Sequence, residues 1–253
     1  MAAFWKSTSR SKGSSAKARF AAFDLETREL IDNKRHGLEK GALGVTCIGL
    51  MLTGQHTAEM WYGNEPNEQI ASQMSRDQLS KFVDRLKSLA DDGFTIATWN
   101  GLSFDFRVLA AESGRYEDCR ALALRHVDMM FNIFCEKGWP VGIAQVASGM
   151  GLRGKTQGMD GLEAVRIWNE EPHRRQEVIH YAANDVHLTL ELAELVSKQK
   201  VLRWSSLRGN PQQLSLPRGW LTCELADQLP EPDNSWMDDP LERSDFTDWF
   251  ATP

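Results

Sequence analysis

The chain has 253 residues, 42% of them hydrophobic and 25% charged, a balance that supports a sizeable buried core and excludes wholesale disorder. No run approaches about 18 consecutive apolar residues, which excludes a helical membrane span, and the first residues lack the apolar core of a secretory signal. The net charge of −6 is unevenly spread: residues 1–20 carry five basic side chains and no acid, residues 224–253 carry nine acids against Arg243, and −3 is left for the middle.

Residues 1–19 (MAAFWKSTSRSKGSSAKAR) are Ser-rich and basic without apolar periodicity, so a flexible arm is expected, with a mitochondrial transit peptide as the alternative. Order begins at Ala21–Leu25, an apolar run ending in charge. Val45–Leu52 and Thr57–Tyr62 follow as strands joined at Gly54. A helix starts at Ser75, because Leu79, Phe82, Val83, Leu86 and Leu89 recur at three- and four-residue steps, and Gly93 ends it. Phe94–Trp99 reads as a strand, Phe104 to Ala111 as a helix and His126–Met130 as a short strand. Further helices follow, and a long one runs from Pro172 to about Gln199. Strands first and a later strand–helix alternation describe an α/β domain with a mixed sheet, over residues 20–198.

Residues 199–253 are expected to form a basic hairpin-like segment and an acidic tail packed on that domain. Lys198 to Gly219 holds Lys198, Lys200, Arg203, Arg208 and Arg218 and no acid, with Gly209-Asn210-Pro211 as a turn. Trp204 within it is a candidate for base stacking. The tail is expected to compete for this basic surface at low salt and offers a docking site for a protein partner. Trp236 and Trp249 argue that the tail packs on the fold.

The chemistry concentrates in four acids. Asp24 and Glu26, two residues apart in Phe23-Asp24-Leu25-Glu26-Thr27, point the same way from a strand while Phe23 and Leu25 face the core. Asp105 ends Asn100-Gly101-Leu102-Ser103-Phe104-Asp105, where a strand gives way to a helix. Asp185 ends Tyr181-Ala182-Ala183-Asn184-Asp185 on the long helix. Four carboxylates from separate elements are what two divalent ions about 4 Å apart require, and hard oxygen ligands favour Mg2+ or Mn2+ over zinc. Cys47, Cys119, Cys135 and Cys223 form no C-x-x-C pair and the six histidines no H-E-x-x-H pair, so neither a zinc site nor a disulfide framework is expected, and a reducing cytoplasm fits.

FDLET, NGLSFD and YAAND resemble, in order, the three exonuclease motifs of the DEDD superfamily of 3′–5′ exonucleases. The third motif is in the tyrosine form, similar to the proofreading domain of family B DNA polymerases and to ribonuclease D-like enzymes. The resemblance spans roughly residues 20–198. It implies a ribonuclease H-like mixed sheet flanked by helices and a two-metal-ion 3′→5′ exonuclease acting on nucleic acid with a free 3′ end. Asp24, Glu26, Asp105 and Asp185 would bind the metals, and Tyr181 would position the attacking water. Thr27 and Asn100 match positions near the terminal nucleotide, and Phe104 a neighbouring packing position. Single-stranded DNA is slightly favoured over RNA, because NGLSFD looks closest to the proofreading form.

His180 also fits a histidine variant of the third motif. Residues four apart on a helix are offset by about 40° and residues five apart by about 140°, so an unbroken helix puts Tyr181, not His180, on the face of Asp185. A second reading comes from Gly149–Thr156, which matches G-x-x-x-x-G-K-[ST], the phosphate loop of nucleotide hydrolases. That loop needs an entering strand, whereas Ile143, Val146 and Ala147 have helical spacing. In the exonuclease reading Arg153 and Lys155 grip the substrate backbone. A third is a non-catalytic nucleic-acid-binding subunit of a larger complex. Asp128 is expected to cap a helix and not to ligate.

Overall fold

The computed structural model describes residues 18–30, 43–66, 69–154, 158–206 and 208–251. The basic arm expected at residues 1–19 therefore falls almost wholly outside the described residues, as does Lys155.

A five-stranded sheet of order β3-β2-β1-β4-β5 forms the centre, built from β1 (Phe20–Thr27), β2 (Val45–Leu52), β3 (Glu59–Tyr62), β4 (Thr95–Thr98) and β5 (Val127–Asp128). The β1–β2 and β2–β3 pairs are antiparallel and the β1–β4 and β4–β5 pairs parallel, so the sheet is mixed. Its two faces carry different cores, as strand alternation requires. Ala21, Phe23 and Leu25 join the cluster that includes α1 (Arg76–Asp91), α2 (Asp105–Ser113) and α3 (Tyr116–Arg125). Phe20 and Ala22 face the opposite cluster, which includes α5 (Ile143–Met150) and α7 (Arg175–Gln199). Helices on both faces of a mixed sheet make this a ribonuclease H-like α/β fold. No helix of the described residues is long and apolar enough to cross a membrane.

Local chemistry explains the boundaries. Ser75 caps α1 by accepting from the Gln78 amide while the Gln78 side chain returns to Ser75, and the buried face is the expected Leu79, Phe82, Val83, Leu86 and Leu89. The strand expected at His126–Met130 is only two residues long, because the Asp128 carboxylate accepts from Phe131 N and starts α4 (Met129–Lys137) at once. Helix α7 runs unbroken through both His180 and Tyr181, after a 3-10 turn at Pro172–Arg174.

The basic segment forms an antiparallel hairpin of β6 (Val201–Ser205) and β7 (Pro211–Ser215). Alternation turns Leu202 and Trp204 inward and Arg203 outward, so Trp204 is 3% exposed and is a core residue, not a stacking platform. The hairpin sits on α5 at Gly149, where an added Cβ would lie 2.4 Å from Arg203 O and Trp204 Cα. The first glycine of the phosphate-loop pattern is thus inside a helix and serves a backbone approach.

The buried residues of the acidic segment pack on the other face. Cys223 and Ala226 of α8 (Cys223–Asp227), Phe246 and Trp249 all belong to the cluster of α1 to α3. Arg243 donates to the carbonyls of Asp227, Leu229, Pro230 and Cys135, pinning this irregular stretch. Trp236, by contrast, is 66% exposed and only edges against Trp139.

Helix α7 lies directly on β1 and β2. The contact is closest at Gly49, where an added Cβ would meet Val186 Cγ1 at 2.9 Å and the Ala182 carbonyl at 3.1 Å. Gly49→Ala is expected to destabilise the protein by about 1–3 kcal/mol through overpacking. Urea unfolding would measure it, and an unchanged midpoint would show that α7 tolerates the added methyl.

A buried chain of hydrogen bonds joins α3 to the turn after β4. His126 is 1% exposed, with Nδ1 2.6 Å from Ala123 O and Nε2 3.0 Å from Thr98 Oγ1, which in turn accepts from Gly101 N. Nδ1 therefore carries the proton and Nε2 accepts from the Thr98 hydroxyl. Burial lowers the His126 pKa from 6.5 to about 4, so the fold holds the neutral ring. This stability is present above pH 6.5 and is lost as pH falls toward about 4. Unfolding free energy is expected to drop over that interval by roughly 3 kcal/mol more in the wild type than in His126→Gln. Equal pH slopes for the two proteins would remove His126 as the cause.

Candidate active site

Residue 24 of β1 faces Gly49 in the β1–β2 register and residue 26 faces Cys47, on the side of the sheet that α7 covers. Asp185 comes down from α7 onto the same spot. Ligand atoms of Asp24, Glu26 and Asp185 all lie within 4.8 Å of one another, the one such group of metal-holding side chains among the described residues. Asp185 is 4% exposed, and the two strand acids are half-buried. A pocket of about 240 Å³ opens on them, lined also by Thr27, Phe104 and Tyr181, with Leu30 and α6 residues Gly161 and Val165 (α6, Gly161–Glu170) completing the wall. Six of the residues singled out in the sequence thus meet in one cavity.

Asp105 is placed differently. It is 2% exposed and its Oδ1 accepts from Leu25 N at 3.0 Å, so it is held on the backbone of β1 between the two strand acids. The parallel β1–β4 pairing ends at Ala22↔Ala97, and farther along β1 the Leu25 amide is bonded to this carboxylate. Burial and the nearby charge of Asp24 push its pKa well above the usual carboxylate range. Asp105 lies outside the group of three, yet within electrostatic reach of it.

The turn that presents Asp105 is heavily constrained. Asn100 adopts φ 72°, and at Gly101 a Cβ would fall 2.3 Å from Thr98 Oγ1. The fully buried Asp128 carboxylate accepts from Asn100 N (3.0 Å), Leu102 N (2.9 Å) and Phe131 N (3.0 Å). Burial raises its pKa and those backbone bonds pull it down. Asp128 is the expected helix cap, and it also ties the turn to α4. From the C-terminal segment, Trp249 Nε1 donates to Leu102 O at 2.8 Å and Asp248 pairs with Arg107 of α2.

Asn100 does not line the pocket: its backbone is tied to Asp128, and its side-chain oxygen accepts from the Ser103 hydroxyl at 2.6 Å. His180 is exposed, 3.4 Å from the Gln176 amide nitrogen, and does not line the pocket, whereas Tyr181 is 3% exposed and does. Four positions lie outside the motifs legible in the sequence. Gly49 in the middle of VTCIGLML carried a signal, since an isolated glycine in an apolar strand marks a close approach. The pocket walls contributed by Leu30, Gly161 and Val165 carried none.

The donor set fits hard divalent cations. Carboxylate oxygens suit Mg2+ or Mn2+, and like charges this close repel until a cation lies between them. Asp24, Glu26 and Asp185 can hold one ion together, with Asp105 adjoining them.

In structure the chain is similar to the family B DNA polymerase of the hyperthermophilic archaeon Pyrobaculum calidifontis, with 22% identity and a TM-score of 0.49, over 71% of this chain and 24% of the polymerase. The chain thus spans about a quarter of the polymerase's length. No curated protein matches the sequence. The family model of the RNase H superfamily matches residues 21–197, which include all four acids, and the chain belongs to that superfamily.

Proposed function

We propose that the protein is a two-metal-ion 3′→5′ exonuclease of the tyrosine DEDD form. The observation that carries this reading is the convergence of Asp24, Glu26 and Asp185 in a small pocket walled by Tyr181 and Phe104, with Asp105 adjoining. Asp24, Glu26, Asp105 and Asp185 hold two divalent ions, Mg2+ or Mn2+. When bound, such a pair activates water and stabilises the departing 3′ oxygen. Tyr181 orients the attacking water through its hydroxyl. Phe104 and Thr27 bracket the terminal nucleotide, Asn100 shapes that end of the pocket through its turn, and Lys155 contacts a phosphate. The pocket of about 240 Å³ beside these acids is bounded by the α6 residues Gly161 and Val165. Single-stranded DNA is the favoured substrate, on the likeness of NGLSFD to the proofreading motif.

Incubation of 5′-labelled single-stranded DNA and RNA of equal sequence with Mg2+ or Mn2+ is expected to give a shortening ladder that chelator abolishes. Asp24→Ala and Asp185→Ala are each expected to lower the rate by orders of magnitude. Without substrate, Mn2+ at about 100 times its Kd should add about 2.7 kcal/mol to the wild type, roughly 5–10 °C in Tm, and should add far less to either variant. Full activity in both variants would sink the site; an intact Tm shift without hydrolysis would keep the metal centre and sink the nuclease.

The ranking of the two candidate water-positioning side chains is a separate test. Tyr181→Phe should cut kcat substantially while His180→Ala changes it little. A pH–rate profile that loses a group near neutral pH in His180→Ala alone would reverse the assignment.

A further inference from the structure

A second charged surface, apart from the pocket, is formed by the β6–β7 hairpin and its flanks. Several arginines of this acidic protein are neutralised: Arg85, Arg107, Arg115, Arg166, Arg174 and Arg243 each form an ion pair. The hairpin segment concentrates cations without such pairing. Lys198, Lys200, Arg203, Arg208 and Arg218 are all exposed, no acid lies between Lys198 and Gly219, and no ion pair among the described residues involves any of the five. Uncompensated cations at this density attract a polyanion.

The fold makes this a fixed surface. Leu202, Trp204, Leu214 and Leu216 are buried, and Gly149 lets the β6 backbone rest on α5. Cys223, Ala226, Phe246 and Trp249 of the C-terminal segment pack in the opposite core, and among the described residues no ion pair joins its acids to the five cations. The surface is also connected to the site. Arg203 N donates to Met150 Sδ at the end of α5, and Arg153, three residues farther along, is exposed. Asp185 and Lys198 share α7 and stand thirteen residues apart, about 20 Å at about 1.5 Å per residue.

Resting on the exonuclease reading, we infer that the basic rim of the β6–β7 hairpin is a second nucleic-acid contact, gripping the substrate backbone several nucleotides upstream of the 3′ end held in the pocket. Lys198, Arg203 and Arg208 bind phosphates without reading sequence. Substrate length therefore governs affinity while leaving the chemical step alone.

The test is a Lys198→Glu/Arg203→Glu/Arg208→Glu variant of the full chain, assayed with a dinucleotide and with a single-stranded DNA of about twenty nucleotides, the latter a length that covers both sites. For the long DNA, KM should rise about tenfold or more at low salt and kcat should hold. The slope of log affinity against log salt should fall by about 2, at about 0.7 per lost phosphate contact. For the dinucleotide, too short to reach the rim, KM and kcat should both match the wild type. Equal loss for both lengths, or no loss for either, overturns the inference. If the triple variant melts early, Lys198→Gln/Arg203→Gln replaces it and must show the same length dependence. Fluorescence anisotropy on the long DNA in chelator reads the surface without catalysis: length-dependent binding that the substitutions weaken, in a protein that hydrolyses nothing, keeps the surface and removes only the exonuclease.

Discussion

Helix α7 can deliver Asp185 to Asp24 only because Gly49 leaves room for it on β2. A side chain there would meet both a Val186 methyl and the Ala182 carbonyl, and the carbonyl belongs to the helix backbone, so the helix itself would have to move. The acids tolerate little such movement. A carboxylate group useful to a cation works over a few ångströms, and the three ligand atoms already lie within 4.8 Å. The spacing of the three acids is thus set by backbone contact between a strand and a helix, and the side chains follow from it. The same seating buries Tyr181 against the pocket while leaving His180 in solvent, since the two are neighbours on one regular helix.

The fourth acid depends on a different device. Asp105 begins α2, and the turn before it contains a left-handed Asn100 and a Gly101 pressed against Thr98. Such a turn leaves several amides unpaired by any helix or sheet. Asp128 accepts two of them and Thr98 a third, while Trp249 donates to the Leu102 carbonyl. Burying the Asp128 carboxylate is costly on its own, and the three N–H donors are what make it tolerable. Since Asp248 and Trp249 lie beyond the family-model match at residues 21–197, part of the scaffold for Asp105 comes from outside the shared domain.

How far the sequence revealed this follows the range of the interactions. Strand alternation put Phe23 and Leu25 in the core and Asp24 and Glu26 together, and helix periodicity named every buried apolar residue of α1, because both signals are local. The strand expected at His126–Met130 is present but shorter, at Val127–Asp128, because the capping carboxylate of Asp128 and not the hydrophobic pattern decides where α4 starts. Trp204 looked like a stacking residue because its neighbours in sequence are basic; its neighbours in space are apolar, and alternation along β6 would have shown it. That Asp105 would be bonded to the amide of Leu25, eighty residues away, and that Trp249 would reach Leu102, are contacts no local pattern encodes.

The Gly149–Thr156 pattern shows how context decides the meaning of a motif. A phosphate loop uses glycines so that successive amides can point at an anion, which requires the chain to leave a strand and enter a helix. Here Gly149 sits near the end of α5, where its amide belongs to the helix and its missing side chain admits the β6 backbone. The residue type is the same and so is the physical reason for it, close approach without a Cβ. The approaching group is a strand of the protein instead of a phosphate. That seat fixes the hairpin with Arg203 outward, while Cys223, Ala226, Phe246 and Trp249 of the acidic segment are buried in the opposite core. Net charge is therefore a poor guide to this protein's partners. The field near a surface is set by the charges within about a Debye length, roughly 8–10 Å at ordinary ionic strength, and over that distance around the hairpin the uncompensated side chains of the segment itself are cationic.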